Sequence, residues 1–254
     1  MHTFSDFFKR GDFMLSFERQ EQIISCLQAG GCMPVKALAA AIFVSEATIR
    51  RDVAELESRG LVRRVYGGVM LSSYKNEVVP VDIRDSANSA EKEQAARQAA
   101  ALIGDNETVI FDSSSTVRRI CKHIRGRKNL TVITNNLRVC NELKDTEVTV
   151  YCTGGVLKQR RECFMGSYAV EFLASVQADS VFFSCQGISE DGVISDSSEE
   201  EVALRRCMIA RAKKQYFLCD SSKLGVSRTF SLCNAADLTA VICGSDAMHK
   251  EPMP

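Results

Sequence analysis

The sequence predicts an α/β chain in two parts, an N-terminal winged helix-turn-helix followed by a mostly parallel α/β domain. Three observations carry that reading. Between Pro34 and Gly68, helical periods, a turn and a basic strand follow one another with little interruption. From Glu91 onward, apolar strand-like runs alternate with helical stretches, the order that yields a parallel sheet covered on both faces. Small polar residues recur at the carboxyl ends of those runs, where ligands of such sheets sit.

At 254 residues the chain has room for two domains with separate cores. Residues 1–16 read as a tail and 17–75 as the helix-turn-helix with its wing. A polar linker interrupted by Pro80 spans 76–90, the second domain spans 91–247, and 248–254 close the chain as a tail. The Phe-rich opening carries Asp6, Lys9, Arg10 and Asp12, which suits neither a signal peptide nor an anchor; Met14 is a second candidate start. No run reaches the roughly 18 uncharged apolar residues of a membrane span, so a cytoplasmic location is expected.

The first domain opens with a helix over 17–30, where Ile23, Ile24 and Leu27 keep helical spacing up to Gly30-Gly31. A second helix follows Pro34, from Val35 to Ala41, with Leu38 and Ala41 facing inward. Phe43-Val44 makes the turn and Ser45 caps the third helix, Glu46 to Arg59. Ile49, Val53 and Leu56 point into the core, which turns Ala47, Thr48, Arg50 and Arg51 outward. Residues at the start of such a helix reach base edges in the major groove, and arginine favours guanine or phosphate. Gly60 ends the helix. Leu61 to Gly68 then reads as a strand and glycine turn whose Arg63 and Arg64 would touch the DNA backbone or minor groove. Net charge is zero, so any DNA contact must come from this local patch. The plainer alternative is a three-helix packing domain with a solvated basic helix.

In the second domain a helix over Glu91–Ile103 precedes the strand Glu107–Phe111, which ends at Asp112 and the hydroxyl run Ser113, Ser114, Ser115 and Thr116. A helix through Cys121 and Ile124 follows. Leu130–Thr134 ends at Asn135-Asn136, with a helix over Leu137–Leu143. Val148–Cys152 ends at Thr153-Gly154-Gly155, Val181–Cys185 at Gln186-Gly187, and Gln215–Cys219 at Asp220-Ser221-Ser222-Lys223. Leu238–Cys243 is the last strand. Hydroxyls before a helix either cap it or hold an anion against its first amides. Gly154-Gly155 either turns the chain or lets backbone approach a ligand. Lys223 is either solvated or a positive charge for the site. Their recurrence at successive strand ends favours a shared anion-binding pocket.

Several classes are excluded. The eleven cysteines form no CxxC and only three histidines accompany them, so neither a metal centre nor a disulfide frame is expected. Most of the cysteines, Cys140, Cys185, Cys219 and Cys243 among them, read as small buried hydrophobes. No GxGxxG follows the first strand and no GxxxxGK[ST] occurs, which argues against a nucleotide site.

These residues together resemble the DeoR family of bacterial transcriptional regulators from about Phe17 over nearly the whole chain. The match runs through Val44-Ser45-Glu46-Ala47-Thr48-Ile49-Arg50-Arg51-Asp52, Leu56, Gly60-Leu61, Arg63-Arg64 and Gly67-Gly68. Tyr66 stands where the family usually has histidine, and is taken as a wing contact. The second domain resembles the family's sensor, itself similar to sugar-phosphate isomerases of the ribose-5-phosphate type. Asp112 with Ser113 to Thr116 matches its phosphate loop, and Thr134-Asn135-Asn136 its second pocket loop. Gly154-Gly155, Gly187, Glu201 and Asp220 to Lys223 fall at its later positions. Two positions depart from the pattern. Gln186 replaces a common aspartate, and Ser114 the usual glycine, whose lost freedom would narrow the approach of phosphate if the backbone there needed glycine.

The resemblance implies a phosphorylated sugar or related metabolite as effector, no other cofactor, homo-oligomeric binding to double-stranded operator DNA, and repression of a carbohydrate operon. A ligand-independent activator or architectural DNA-binding protein is the alternative. A sugar-phosphate isomerase is the weaker rival, because Ser189-Glu190-Asp191 lacks the Asp-Gly-Ala-Asp-Glu pattern of those enzymes.

Overall fold

The structure, a computed structural model, describes residues 15–30, 32–65, 68–72, 84–85, 88–159 and 161–244. Tyr66, Gly67, nearly all of the expected N-terminal tail, most of the linker and the closing tail lie outside the described residues. The chain divides into two compact units, with the boundary at Val79–Pro80.

The first unit contains α1 (Ser16–Gly30), β1 (Cys32–Met33), α2 (Val35–Ile42), α3 (Glu46–Ser58), β2 (Val62–Val65) and β3 (Gly68–Leu71). Ile23, Leu27, Leu38, Ile42, Ile49, Val53, Leu56 and Leu61 are all buried, and each stabilises the unit by roughly 1.5–3 kcal/mol relative to exposure. Ala41 is not part of that core. It is exposed, while Leu38, Ala39 and Ile42 share the buried face, because at about 100° per residue that face is centred beyond Leu38 on the side of Ala39 and position 41 falls off its other edge. The left-handed Phe43 (φ 61°) ends α2, its amide returning to the Ala39 carbonyl. β3 is central, pairing antiparallel with both β1 and β2. A Cβ at Gly68 would stand 2.6 Å from the Met33 carbonyl oxygen, so this pairing requires glycine.

Polar contacts fix α3 against α1. Asp52, buried, accepts from the Arg19 guanidinium (3.1 Å at Nη2) and from Ser16 Oγ (3.3 Å). Gln20 Nε2 donates to Glu55 at 2.8 Å, and Arg59 Nη1 donates to Gln20 Oε1 at 2.9 Å. The hydrogen bond to Asp52 raises the Arg19 pKa despite the opposing effect of burial.

The second unit is built on six parallel strands in the order β14-β12-β9-β4-β5-β6. They are β4 (Thr108–Phe111), β5 (Thr131–Thr134), β6 (Thr149–Cys152), β9 (Ala178–Phe183), β12 (Ala212–Cys219) and β14 (Ala240–Cys243). On one face pack α4 (Ser89–Ala101), α5 (Ser115–Arg118), α6 (Cys121–Ile124) and α7 (Leu137–Leu143), over Val109, Phe111, Val132 and Leu218. On the other lie α8 (Ser167–Ala174) and α9 (Glu199–Ala210), over Ile110, Ile133, Val181, Phe183 and Phe217. Alternate residues of each strand therefore feed opposite cores. The single helix expected through Cys121 and Ile124 is two short ones. The amides of Arg119, Ile120 and His123 bond three residues back rather than four, which tightens the chain between them.

Several elements have no counterpart in the sequence reading: α8, α9, the hairpin of β7 (Val156–Lys158) and β8 (Cys163–Met165), and the small antiparallel sheet β10-β11-β13. The last comprises Gly187–Ile188, Val193–Asp196 and Phe230–Asn234. Cys121, Cys163, Cys185, Cys219 and Cys243 are buried, whereas Cys152 at the end of β6 is exposed and Cys140 half-buried. Among the described residues no helix is long and apolar enough to cross a membrane.

Candidate DNA-reading face and effector pocket

Ser45 caps α3 by accepting from the Thr48 amide at 3.2 Å, and its hydroxyl also lies 2.9 Å from the Thr48 hydroxyl. The cap orders the turn that begins the outward face, where Ala47, Arg50 and Arg51 are exposed and Thr48 is half-buried. Arg50 pairs with Glu46 at 3.2 Å and Arg64 with Glu57 at 3.2 Å. Exposed pairs of this kind are worth about 0–1 kcal/mol, so a phosphate displaces the carboxylate at little cost. Arg51 and Arg63 are exposed and, among the described residues, have no acidic partner.

In the second unit the carboxyl ends of β4, β5, β6, β9 and β12 share one edge, because the strands are parallel. The residues expected at that edge gather there. Their side chains serve two different ends, however. Asp112 is buried and fully engaged: Oδ1 accepts from the Ser114 amide at 3.0 Å, and Oδ2 from the Ser184 amide at 3.2 Å and Arg205 Nε at 2.9 Å. Arg205 also holds Asp196 at 3.0 Å and Glu201 at 3.0 Å, and Arg161 approaches Glu201 at 2.9 Å. Burial pulls Glu201 upward, but Arg205, Arg161 and Arg84 outweigh it and hold its pKa below the usual carboxylate value. Asp112 and Glu201 thus build the floor of the edge.

Ser114 Oγ accepts from the Val117 amide at 3.2 Å and caps α5. Its backbone is ordinary extended chain (φ −77°), so glycine is not required there, and the serine costs the loop no strain. Ser113, Ser115 and Thr116 are buried beside it. Thr134 Oγ1 donates to the Phe111 carbonyl at 2.8 Å and accepts from the Asn136 amide at 3.0 Å, which ties the β5 loop to β4. Asn135 Nδ2 donates to the Phe164 carbonyl, while its Oδ1 is buried without a hydrogen-bond partner. Asn136 caps α7 through the Arg138 amide.

The glycines separate by role. A Cβ at Gly155 (φ 106°) would meet the Met165 carbonyl oxygen at 2.5 Å, and one at Gly187 the Val226 oxygen at 2.2 Å. Both positions are filled by passing backbone, which leaves Gly154 (φ 67°), open within 4 Å, as the position where backbone can meet a ligand. Gln186 Nε2 donates to Ser197 Oγ at 2.8 Å, joining β9 to the start of α9. Asp220 accepts from Asn88 Nδ2 at 2.7 Å and the Ser222 amide at 3.1 Å, and the half-buried Lys223 ends the 3-10 turn that follows.

Besides Arg161, three basic residues of this edge carry no mark in the sequence. Arg205 organises the floor. Lys92 of α4, buried, lies 4.0 Å from Asp220. Arg84, at the start of the second unit, has its carbonyl bound by Ser115 Oγ at 3.2 Å and by Lys92. A lysine in an alanine-rich helix and an arginine in a polar linker carry no local signal of burial.

A two-unit chain with an arginine-bearing capped helix in a winged frame and a strand-end cluster of polar and basic side chains in a parallel sheet defines a DNA-binding regulator with a sensor domain. The comparisons agree. Residues 19–75 match the DeoR-like helix-turn-helix domain and residues 87–245 the DeoR C terminal sensor domain. The HTH-type transcriptional regulator GolR of Listeria innocua is 33% identical over 90% of this chain and 91% of its own. The HTH-type transcriptional repressor GlcR of Bacillus subtilis is 32% identical over 90% and 88%. A lactose phosphotransferase system repressor of Staphylococcus epidermidis is 29% identical over 94% and 96%. The chain belongs to the DeoR family of transcriptional regulators, and its relatives are regulators rather than enzymes. Among solved structures, ribose 5-phosphate isomerase A of Methanocaldococcus jannaschii overlaps 54% of this chain and 55% of its own, at a TM-score of 0.42 and 14% identity. An overlap that loose decides nothing about activity.

Proposed function

We propose that the protein represses a carbohydrate-utilisation operon by binding operator DNA as a homo-oligomer and that a phosphorylated sugar releases it. The observation that carries this reading is the convergence of amide- and hydroxyl-bearing loops with buried basic groups at one sheet edge, in a chain whose other unit presents Arg50 and Arg51. Ser45, Ala47, Thr48, Arg50 and Arg51 would face the major groove, with Arg63, Arg64 and Tyr66 on the flanking backbone. Ser113 to Thr116, Asn135, Gly154 and Lys223 would meet the effector, on a floor built by Asp112, Glu201 and Arg205. Oligomerisation suits the exposed Tyr151, Val156, Leu157, Tyr168 and Val170 of the β6-to-α8 stretch.

The two sites should separate under mutation. Arg51→Ala should weaken operator binding and take about one unit off the slope of log affinity against log salt, because one phosphate contact is lost. Its phosphosugar affinity should be that of the wild type. Lys223→Ala should show the reverse, holding operator while ignoring the sugar. Calorimetry and anisotropy on both variants decide the matter; a fall in sugar affinity in Arg51→Ala would break the division.

A further inference from the structure

The segment Arg84–Asp85 lies just ahead of the residues matched to the sensor domain, and it is held on several sides by α4, α5, α7 and the residue after α5. Ser115 Oγ and Lys92 Nζ both donate to the Arg84 carbonyl. The Asp85 carboxylate accepts from Arg118 Nη2 at 2.8 Å and Arg138 Nη1 at 2.9 Å, and its carbonyl from Arg119. The backbone at Arg84 is therefore positioned directly against the Asp112–Thr116 loop.

Its side chain is left in an unusual state. Arg84 Nε and Nη2 are shielded from solvent and have no hydrogen-bond partner. These are the two nitrogens whose N–H groups share one edge of the guanidinium, the edge that takes two oxygens of a phosphate or carboxylate side by side. Glu201, whose ionisation Arg84 favours, is already bonded by Arg161 and Arg205 and does not satisfy that edge. Across the same strand ends, Asn135 Oδ1 is a buried acceptor that also lacks a partner. Buried donors and acceptors left unmatched are costly, and native proteins pair nearly all of them. A ligand that places an oxyanion on Arg84 and a hydroxyl on Asn135 satisfies both at once.

We propose that Arg84 is an effector-binding residue, gripping the anionic group of the ligand through Nε and Nη2 while Asn135 Oδ1 accepts from a neighbouring ligand hydroxyl. This rests on the phosphosugar reading above and adds to it a contact from outside the strand-end loops. Arg84 lies five residues after the boundary between the two units.

The test is calorimetry on the full chain with ribose 5-phosphate, glucose 6-phosphate, the two unphosphorylated sugars and inorganic phosphate. Arg84→Gln should lose about 30-fold in affinity for the phosphorylated probe that binds wild type best, the equivalent of one charge-assisted pair. Its affinity for the unphosphorylated sugar should be unchanged, so that the ratio of the two collapses. Arg84→Lys, which keeps the charge without the paired edge, should fall in between and guards against a fold defect in the glutamine variant. If wild type binds a phosphorylated probe and both variants bind it equally well, Arg84 is not a ligand and this inference fails alone. If wild type binds none of the phosphorylated probes, inorganic phosphate included, the phosphosugar reading fails and takes this inference with it.

Discussion

Lys92 is the residue whose buried charge bears most directly on the proposed effector site. Burial pushes its ammonium down to about 8, against the pull of Asp220, with Lys223 and Arg119 adding to the fall and Asp85 opposing it. For the fold, a lowered lysine pKa means that the unfolded chain binds more protons between about 8 and 10.5. Stability should therefore rise with pH through that window, so the charged lysine is a burden on the native state at neutral pH. A burden kept beside Ser115 and Arg84 fits a group that awaits an anion. A sugar phosphate is a dianion above its second ionisation near 6, so its charge does not change where Lys92 titrates. Calorimetry across pH should accordingly give an affinity that is flat from 7 to about 8 and then falls, by at most about tenfold per pH unit. Lys92→Met should flatten the profile. An unchanged wild-type affinity at pH 9.5 would remove Lys92 from the site.

At the scale of elements, two helices explain why the chain was only partly legible. α3 was readable to within a residue because every local signal agrees: Ser45 caps it, Ile49, Val53 and Leu56 mark one face, and Gly60 stops it. Asp52, which reads as one more charge on that helix, is buried against Arg19, and nothing local distinguishes it from Glu46. α9 gave no usable pattern because its inward face mixes Val202, Leu204 and Met208 with Glu201 and Arg205. The apolar stripe that betrays an amphipathic helix is broken by the ion network. β7 and β8 are three residues each, too short for alternation to register. The same network makes a strong stability prediction. Arg205→Leu would leave Asp112 and Asp196 buried without their guanidinium, and Glu201 with Arg161 alone. Removing one partner of such a network costs about 3–5 kcal/mol, which denaturant unfolding of the full chain should show as a lower midpoint for the sensor transition. An unchanged midpoint would mean that the four groups do not act together.

For the whole molecule, the order of elements exposes both units and the edge where the strand-end polar residues gather, since alternating strands and helices admit few arrangements of a parallel sheet. The strand-end residues were found for the same reason. What the order does not show is which of them are taken up by the fold itself. Gly155 and Gly187 turned out to accommodate crossing backbone, and Asp112 and Glu201 to hold Arg205. Side-chain partners distant in sequence decide such matters, as Arg84 with Ser115 and Asn88 with Asp220 illustrate. To regulate, an effector must bind the DNA-competent and DNA-incompetent states unequally; a ratio of about 100 corresponds to about 2.7 kcal/mol. The most direct test is fluorescence anisotropy of the full chain on DNA from its own upstream region, at fixed salt, titrated with a panel of phosphosugars. Binding should be tight, and one phosphorylated sugar should release it while its unphosphorylated form does not. Tight binding indifferent to every compound would contradict the proposed regulation and leave a DNA-binding protein whose strand-end pocket does not govern its hold on DNA.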